Sequence, residues 1–310
     1  MNEPLQRQRG IFEGRVTRRR MPCREHFELT VRVDDFPEAS PGQFVQILCA
    51  TPPSEPSADS PVSPSARPNM SAGVLLRRPF SIGGLRRKGR HSEIDIMGRV
   101  VGPGTAWLDA RMPGDEINFI GPLGTPFRRP ASDEHALLVA GGVGLPPIRW
   151  LGETLSAQGV PTRAIFGAQT ESLIPLTLTK TPQNVPEFTP CAAEFAEHGI
   201  DTIITTDDGS CGLFGRVTDA MRPALEASHP GATIIYACGP EPMLEAIARL
   251  ANANGIPCQL ALERVMACGM GTCQSCVVRV SDSAADEGWR YALCCTEGPV
   301  FDSTRLAGSD

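Results

Sequence analysis

The sequence predicts a multidomain β plus α/β protein with an antiparallel β-barrel, a doubly wound parallel-sheet domain and a small C-terminal module. Three observations predict this fold class. Short alternating apolar runs fill the first part of the chain, strand-like and helix-like segments alternate in the second, and five of the eleven cysteines lie in the last 50 residues. The length of 310 residues agrees with about two domains and an appendage.

The composition is that of a globular protein with a modest acidic charge. Apolar residues make up 41 % of the chain, charged residues 21 %, and the net charge is −6. This balance argues against nucleic acids or anionic membranes as partners. The polar start "MNEPLQRQRG" and the lack of an apolar run near roughly 20 residues predict a soluble cytoplasmic protein. In a reducing compartment, clustered cysteines more often bind metal or do redox chemistry than form disulfides.

Residues 1–131 are predicted to form the barrel. The segment "HFELTVRV" alternates strictly, so Phe27, Leu29 and Val31 share one face with Val33. Further strands are predicted at "GQFVQIL", "VLLRRPFSI", "EIDIMGRVV" and "DEINFIGPLG", separated by turn residues. A Pro/Ser-rich insertion at 51–73 is expected to be disordered, because it has almost no apolar residues with which to build a core.

Residues 132–262 are predicted to form the doubly wound domain. The continuous apolar run "HALLVA" is typical of a strand buried on both faces. It is followed by the helix "PPIRWLGETLSAQG", the strands "TRAIFGA" and "DTIITT", the helix "VTDAMRPALEAS", the strand "TIIYACG" and the helix "PMLEAIARLANANG". Ligands bind at the carboxyl edge of such a sheet. The remaining residues, 263–310, are too few to fold without an additional stabilising group.

The last part of the chain contains a dense group of cysteines. Cys268, Cys273 and Cys276 have the spacing C-x4-C-x2-C, and Cys294 and Cys295 follow. This spacing with a distant fourth cysteine is typical of a plant-type [2Fe–2S] cluster. Zinc is the main alternative, although zinc sites usually contain two close cysteine pairs. Unrelated free thiols are the other alternative. Spacing alone leaves the fourth ligand open between the last two cysteines.

Two glycine-containing turns follow predicted strands of the second domain. "VAGGVGLPP" lies between a strand and a helix, where backbone amides can meet a pyrophosphate, and "CGPEPM" follows the last strand at the same edge. The third glycine of the dinucleotide fingerprint is absent, so tight turns without a ligand are the alternative. Two such turns in one sheet favour a nucleotide site. The residues predicted to bind the nucleotide are Gly141, Gly142, Gly144, Pro147, Cys238, Gly239 and Pro240.

The barrel contains a candidate anion site. In "RRPFSI" a strand contains two arginines, whose guanidinium groups can bind phosphate, with help from the Ser81 hydroxyl. The alternative is a solvated surface pair. "GPGT" opens a short helix-like segment and offers further backbone amides. "TTDDGS" is most simply interpreted as a turn after a strand.

The order of these motifs closely resembles a known family. "RRPFSI", "GRVVGPGT", "AGGVGLPP", "TTDDGS", "CGPEPM", "ERVMACGMGTCQSC" and "CTEGPVF" are similar to the electron-transfer subunits of NAD-dependent dihydroorotate dehydrogenase, which are iron–sulfur flavoproteins of the ferredoxin–NADP reductase superfamily. The resemblance covers nearly the whole chain apart from the insertion, part of 171–195 and the C-terminal tail.

The resemblance implies a set of site residues. The implied FAD contacts are Arg78, Pro79, Phe80, Ser81, Met97, Gly98, Arg99, Gly104 and Thr105. The implied cluster ligands are Cys268, Cys273, Cys276 and the cysteine before "TEGPVF", which is Cys295. One departure concerns Gly98, which stands where the family usually has a tyrosine near the flavin.

The resemblance also implies a function. NAD exchanges two electrons as hydride, a [2Fe–2S] cluster exchanges one at a time, and a flavin does both, so FAD is expected between them. The family implies that dihydroorotate is oxidised on a separate catalytic subunit that contains FMN. Electrons then pass through the cluster and FAD to NAD+, in pyrimidine (UMP) biosynthesis. Two subunits of each kind usually form a heterotetramer.

Two other functions remain as alternatives. One is a relative with the same cofactors but another partner, such as a subunit of a ferredoxin:NADP oxidoreductase, a sulfhydrogenase or a sulfite reductase. Four cysteines, with no aspartate among the ligands, argue against the ferredoxin:NADP type. The other is a zinc-binding or regulatory protein with the same fold, which would be colourless. The sequence does not decide between NAD and NADP, since only Arg163 lies near the second strand of the nucleotide domain.

Overall fold

The structure is a computed structural model that describes residues 9–50, 76–226 and 232–306. The predicted fold class is confirmed: a curled antiparallel sheet, a parallel sheet with helices, and a small C-terminal module. The insertion predicted at 51–73 lies outside the described residues. In the described part of the chain, no helix is long and apolar enough to cross a membrane.

The first sheet has seven antiparallel strands and curls into a half-barrel. Its strands are β1 (Gly10–Arg20), β2 (His26–Asp34), β3 (Phe44–Ile47), β4 (Arg78–Ser81), β5 (Gly84–Lys88), β6 (His91–Arg99) and β7 (Glu116–Leu123), and the helix α1 (Pro103–Asp109) precedes β7. Their spatial order is β4-β3-β7-β1-β2-β6-β5. The half-barrel is therefore open, with β4 and β5 as its edge strands.

The sequence pattern predicts β2 correctly but misses β1 and β5. Phe27, Leu29 and Val31 are buried in the core of the half-barrel, as the alternation predicts. In β1, "GIFEGRVTRRR", charged residues interrupt the pattern, and only Gly14 and Val16 are buried. β1 forms because it pairs with β2 on one side and β7 on the other. Pairing with neighbouring strands outweighs its weak local signal.

The second sheet carries the helices of the α/β domain. In chain order its elements are β8 (His135–Gly141), α2 (Leu145–Ala157), β9 (Thr162–Ala168), α3 (Ala193–Ala196), β10 (Asp201–Thr206), β11 (Leu213–Phe214), α4 (Val217–Glu226), β12 (Thr233–Cys238), α5 (Glu241–Ala253) and β13 (Cys258–Ala261). The strands are parallel, in the order β11-β10-β9-β8-β12-β13. Because the order reverses beside β8, the turns after β8 and β12 meet at the carboxyl edge, where such sheets bind ligands.

The C-terminal module contacts both sheets. Its hairpin joins β14 (Val277–Ser281) to β15 (Trp289–Leu293), and β16 (Val300–Asp302) then extends the parallel sheet, antiparallel to β13. The hairpin shares an apolar core with Phe44 of β3 and Leu123 of β7. The module therefore packs on the face of β3 that is opposite the core of the half-barrel.

A buried ion pair joins the half-barrel to the α/β domain. Glu28 of β2 is 2 % exposed and accepts a hydrogen bond from Nη2 of Arg149 in α2, with an N···O distance of 2.6 Å. Arg20 of β1 donates to the other carboxylate oxygen. Since a buried carboxylate requires such partners, this contact fixes the two sheets relative to each other.

Candidate functional site

Four cysteines of the C-terminal module form two pairs. The Sγ atom of Cys268 accepts hydrogen bonds from the backbone N–H groups of Met270 and Cys273, each with an N···S distance of 3.4 Å. The Sγ atom of Cys276 accepts one from the backbone N–H of Cys295, also at 3.4 Å. Backbone amides directed at sulfur stabilise thiolates and cluster sulfurs. The donor set is four thiols in two pairs, which fits a [2Fe–2S] cluster with one pair for each iron.

Among the residues that the structure describes, no three His, Cys, Asp or Glu side chains gather closely enough to hold a single metal ion.

Cys294 and Cys295 have different surroundings. The thiol of Cys294 is 0 % exposed and donates to the carbonyl oxygen of Leu262, with an S···O distance of 3.8 Å. The backbone N–H of Cys295 donates to Cys276. The thiols of Cys294 and Cys295 both interact electrostatically with Cys276, and that of Cys295 also does so with Cys268. Cys295 therefore lies with the two pairs, whereas the thiol of Cys294 is bonded within the core of the module.

The thiols of this site differ in acidity. Hydrogen bonds from the Ser275 side chain, and then from its backbone, lower the pKa of Cys273 to about 6. Burial is the largest cause that raises the pKa of Cys295 to about 12, followed by its hydrogen bond with Cys276. Burial also raises the pKa of Cys294 to about 12. When a metal ion is bound, its coordinating thiols are deprotonated whatever their pKa without the metal.

The loop between the first two cysteines lies against the half-barrel. Gly269 has a left-handed backbone with φ of +70°, and a Cβ atom at this position would lie 2.6 Å from Cγ and 2.8 Å from Nε2 of Gln46. Only glycine accommodates both constraints. The glycine predicted to allow a tight loop therefore also allows the loop to approach β3.

The two arginines of "RRPFSI" have different roles. Arg77 donates from Nη1 to the carbonyl oxygens of Gln46 and Asn118, at 3.3 and 3.2 Å, so it holds β3 and β7 together. Arg78 lies against α1, since a Cβ atom at Gly104 would be 3.4 Å from its Nε atom. Its guanidinium makes no hydrogen bond within the described residues. Arg78 is therefore the arginine available for an anion.

Other residues of the implied FAD set have partners of their own. The Thr105 hydroxyl accepts hydrogen bonds from the backbone N–H groups of Val101 and Gly102 and holds the turn before α1. Arg99 donates from Nε and Nη2 to the Glu25 carboxylate, at 2.9 and 2.7 Å. Met97 is buried in the core of the α/β domain. In β4, Pro79 lies opposite Gln46 and Ser81 lies opposite Phe44 of β3.

Gly98 faces two aromatic rings. A Cβ atom at this position would lie 2.7 Å from Cζ of Phe27 and 2.9 Å from Cε1 of Phe80. The centroids of these two rings are 6.4 Å apart. The space that a tyrosine at position 98 would enter is therefore occupied by Phe27 and Phe80.

The two glycine turns of the α/β domain pack directly on each other. A Cβ atom at Gly144 would lie 2.1 Å from the carbonyl oxygen of Cys238 and 2.6 Å from the backbone nitrogen of Gly239. Gly144 is thus required by contact between the turns, and a ligand is not needed to explain it. Gly142, in contrast, has φ of +51° and open space where its Cβ would be. Pro147 is buried within α2, and Pro240 precedes the first residue of α5.

Three further features lie at the edges of this domain. Burial raises the pKa of Cys238 to about 12, so this thiol is neutral. Arg163 lies near the amino end of β9, with its guanidinium 5.0 Å from the centroid of the Phe188 ring. Arg163 therefore lies at the opposite end of β9 from the edge formed by the two glycine turns. Arg264 of the module forms an ion pair of 2.6 Å with Glu241 of α5, which connects the module to the carboxyl edge of the parallel sheet.

Sequence reasoning missed Gln46, Glu28 and Arg149. The latter two are ordinary charged residues, and only the packing of the two sheets brings them together. Gln46 carried a weak signal, since it is a polar residue in the middle of the apolar run "FVQI".

Comparisons with known proteins agree with this arrangement. A profile described as the iron-sulfur cluster binding domain of dihydroorotate dehydrogenase B matches residues 263–307, and one described as an oxidoreductase NAD-binding domain matches residues 138–249. The solved structure of an NADH-dependent reduced ferredoxin-NADP oxidoreductase, from a study of flavin-based electron bifurcation, has a TM-score of 0.71 and 26 % identity over 95 % of this chain and 89 % of that chain. The FAD/NAD-binding domain of a nitric oxide dioxygenase from Vibrio cholerae is similar in fold, with a TM-score of 0.58 at 15 % identity, over 79 % of this chain and 94 % of that chain. Fold and site thus define an iron–sulfur flavoprotein oxidoreductase of the ferredoxin–NADP reductase type.

Sequence relatives identify the family. The dihydroorotate dehydrogenase B (NAD(+)) electron transfer subunit of Geobacillus kaustophilus is 35 % identical over 290 residues, which are 92 % of this chain and 94 % of that protein. The corresponding subunit of Lysinibacillus sphaericus is 33 % identical over 298 residues, 94 % of this chain and 97 % of that protein. The chain belongs to the family of dihydroorotate dehydrogenase B electron transfer subunits, which confirms the resemblance found in the sequence.

Proposed function

We propose that this chain transfers electrons between a [2Fe–2S] cluster, FAD and NAD+ as the electron transfer subunit of an NAD-dependent dihydroorotate dehydrogenase. The observation that carries the proposal is that the paired cysteines pack against β3, which is hydrogen-bonded to β4 of the "RRPFSI" motif. A flavin at β4, when bound, exchanges hydride with NAD and single electrons with the cluster.

The proposed cluster ligands are Cys268, Cys273, Cys276 and Cys295. The two pairs and their backbone N–H donors support this set. The donors direct partial positive charge at the sulfurs, and burial of Cys276 and Cys295 excludes water from one side of the site. The more exposed Cys273 lies towards the surface, where an electron donor can approach.

The proposed flavin site is centred on β4 and α1. Arg78 is the residue that would bind the anionic part of FAD, with the backbone at Gly104 close beside it. The backbone of β4 from Pro79 to Ser81 would orient the flavin, and Phe80 would supply an apolar surface. The remaining members of the proposed set are Met97, Gly98, Arg99 and Thr105, of which Arg99 and Thr105 act mainly by holding the local backbone in place.

The proposed NAD site is the edge formed by the two glycine turns. Gly142 leaves open space above its backbone, which would accept a pyrophosphate. Gly141, Gly144, Gly239 and the adjoining Pro240 let the turns approach each other, and the neutral Cys238 thiol lies at the end of β12. Pro147 would not contact NAD directly and would contribute only by helping to start helix α2, in which it is buried.

The proposed organisation comprises a flavin domain at 1–131, an NAD domain at 132–262 and a cluster module at 263–310. The proposed partner is an FMN-containing catalytic subunit, with two copies of each subunit in a heterotetramer and a role in pyrimidine biosynthesis. The names of the relatives support a catalytic partner. Eleven unpaired cysteines support a cytoplasmic location, because thiols persist in a reducing compartment.

The proposal is tested by reconstituting the electron path. The protein, loaded with FAD and iron–sulfur cluster, is combined with an FMN-type dihydroorotate dehydrogenase from the same genome. We expect NADH formation that depends on dihydroorotate and requires both subunits. The matched control is Cys268→Ser, which should remove NADH formation while FAD remains bound.

A negative result would exclude the dihydroorotate dehydrogenase partner and direct the search to another electron partner. If the loaded protein binds no such partner and forms no NADH, the role in dihydroorotate oxidation is refuted. The likeness to the ferredoxin-NADP oxidoreductase structure favours ferredoxin as the next partner to assay.

A further inference from the structure

Gln46 is a buried amide without hydrogen-bond partners. It lies in the middle of β3, is 0 % exposed, and neither its Nε2 nor its Oε1 atom has a partner in the part of the chain that the structure describes. A buried donor without a partner costs free energy, and native proteins rarely keep one. An apolar side chain would fill the same volume without this cost. The amide therefore requires an explanation.

The direction of the side chain follows from strand alternation. Val45 and Ile47 point into the core of the half-barrel, so Phe44 and Gln46 point to the opposite face. Phe44 packs there against the core of the C-terminal module. The Nε2 atom of Gln46 is 2.8 Å from the position that a Cβ atom of Gly269 would occupy. The amide thus lies against the loop between the first two cysteines.

We propose that the Gln46 side-chain amide donates a hydrogen bond to a sulfur of the iron–sulfur cluster and raises the reduction potential of the cluster. This inference rests on the cluster site proposed above. Hydrogen bonds to the sulfurs help to set the potential of such clusters, because they stabilise the more negative reduced form. The other donors at this site are backbone N–H groups of the C-terminal module, whereas Gln46 belongs to the half-barrel.

Gln46 lies between the cysteine loop and the proposed flavin strand β4. Gln46 lies directly opposite Pro79 of β4, and its carbonyl oxygen accepts from Arg77. One residue thus contacts the cysteine loop through its side chain and the proposed flavin strand through its backbone. A change at Gln46 should alter the potential of the cluster and leave that of FAD unchanged, because only the side chain is replaced.

The test compares two substitutions in the FAD- and cluster-loaded protein. Gln46→Met keeps the length of the side chain and removes the donor, whereas Gln46→His keeps an N–H donor. The control is Gln43→Met, because Gln43 is also buried in this segment but its amide is bonded to Gly124 and Ser40, at 2.9 and 3.0 Å. Cluster potentials are measured by redox titration with EPR detection, and flavin potentials by visible absorbance.

Gln46→Met is expected to shift the reduction equilibrium of the cluster about tenfold towards the oxidised form, which for a one-electron couple is about 59 mV. Gln46→His and Gln43→Met should stay close to the wild-type potential. An unchanged cluster potential in Gln46→Met overturns the inference, whatever the flavin does. If wild-type protein binds no iron–sulfur cluster, the proposed site itself fails, which is a different result.

A second measurement does not depend on the Gln46 variants. Protein that keeps Gln46 is labelled with 15N at the glutamine side chains, and the reduced cluster is examined by pulsed EPR. Gln274, which lies between Cys273 and Cys276 with φ of +55°, is replaced by Asn in the labelled sample, so that it does not contribute. A 15N coupling supports the hydrogen bond from Gln46, and its absence overturns it.

Discussion

At the scale of single residues, Gly98 shows how tightly β6 packs against neighbouring aromatic rings. The space beside this glycine is filled by Phe27 and Phe80. Phe27 is fully buried and lies directly opposite Gly98 on the paired strand. A larger side chain at position 98 would therefore have to displace one of these rings.

Gly98→Ala should therefore destabilise the half-barrel. The added methyl group would lie closer to Phe27 than real Cβ contacts allow, and overpacking of this kind costs about 1–3 kcal/mol of unfolding free energy. Urea unfolding of the wild type, Gly98→Ala and the double variant Gly98→Ala/Phe27→Leu measures the effect. The double variant should recover part of the loss attributed to Gly98→Ala. Additive effects of the two substitutions would refute the proposed contact.

The cysteines after β15 give a second residue-scale prediction. Cys295→Ser should lose the cluster, because it removes one of the paired thiols. Cys294→Ser should keep it, because a serine hydroxyl can still donate to the Leu262 carbonyl. Iron analysis and visible circular dichroism of the two purified variants measure the difference. Full iron content in Cys295→Ser, with loss in Cys294→Ser, would reverse the assignment of the fourth ligand.

At the scale of elements, β3 connects the two ends of the proposed electron path. Its four residues are all buried, with Val45 and Ile47 in the half-barrel and Phe44 and Gln46 towards the C-terminal module. A short strand buried on both faces has little alternation in its sequence, since both faces require buried residues. The second face of β3 packs against the C-terminal module, and the sequence of the strand alone does not reveal this contact.

Phe44→Ala should loosen the C-terminal module selectively. The ring is 3 % exposed and packs in the core that contains Met266 and Cys276. Loss of a buried Phe side chain costs about 3–5 kcal/mol, and the cost should fall on the interface of the module. Hydrogen exchange should therefore accelerate in residues 263–306, with iron lost before FAD. Val45→Ala, on the other face of β3, is the control and should instead accelerate exchange in the half-barrel.

At the scale of the whole molecule, sequence reasoning predicted the fold class, the three parts and most strands and helices of the second sheet. These depend on local periodicity and on glycine turns, which a single sequence displays. It missed β1, whose pattern is masked by charged residues, and it could not place Gln46 or Glu28, whose roles depend on contacts between distant segments. It also explained Gly144 by a ligand, whereas the nearer reason is contact with Cys238.

The orientation of the two sheets should depend on the buried pair of Glu28 and Arg149. Arg149→Met removes one partner of a carboxylate that is 2 % exposed, which should cost about 3 kcal/mol because a buried charge loses its partner. Arg15→Met is the control, since Arg15 and Glu116 form an exposed pair whose contribution should stay below about 1 kcal/mol. Thermal and urea unfolding of the FAD-loaded protein measure both. Equal stability of the two variants would contradict a role of the buried pair in joining the sheets.

The central claim is that the nucleotide edge, the flavin strand and the cysteine module form one electron path within this chain. Anaerobic titration of the loaded protein with NADH tests it most directly, with flavin followed by absorbance and the cluster by EPR. We predict bleaching of the flavin and then the EPR signal of the reduced cluster, without any partner subunit. A flavin that bleaches while the cluster remains oxidised under excess NADH, although dithionite reduces it, would contradict the account.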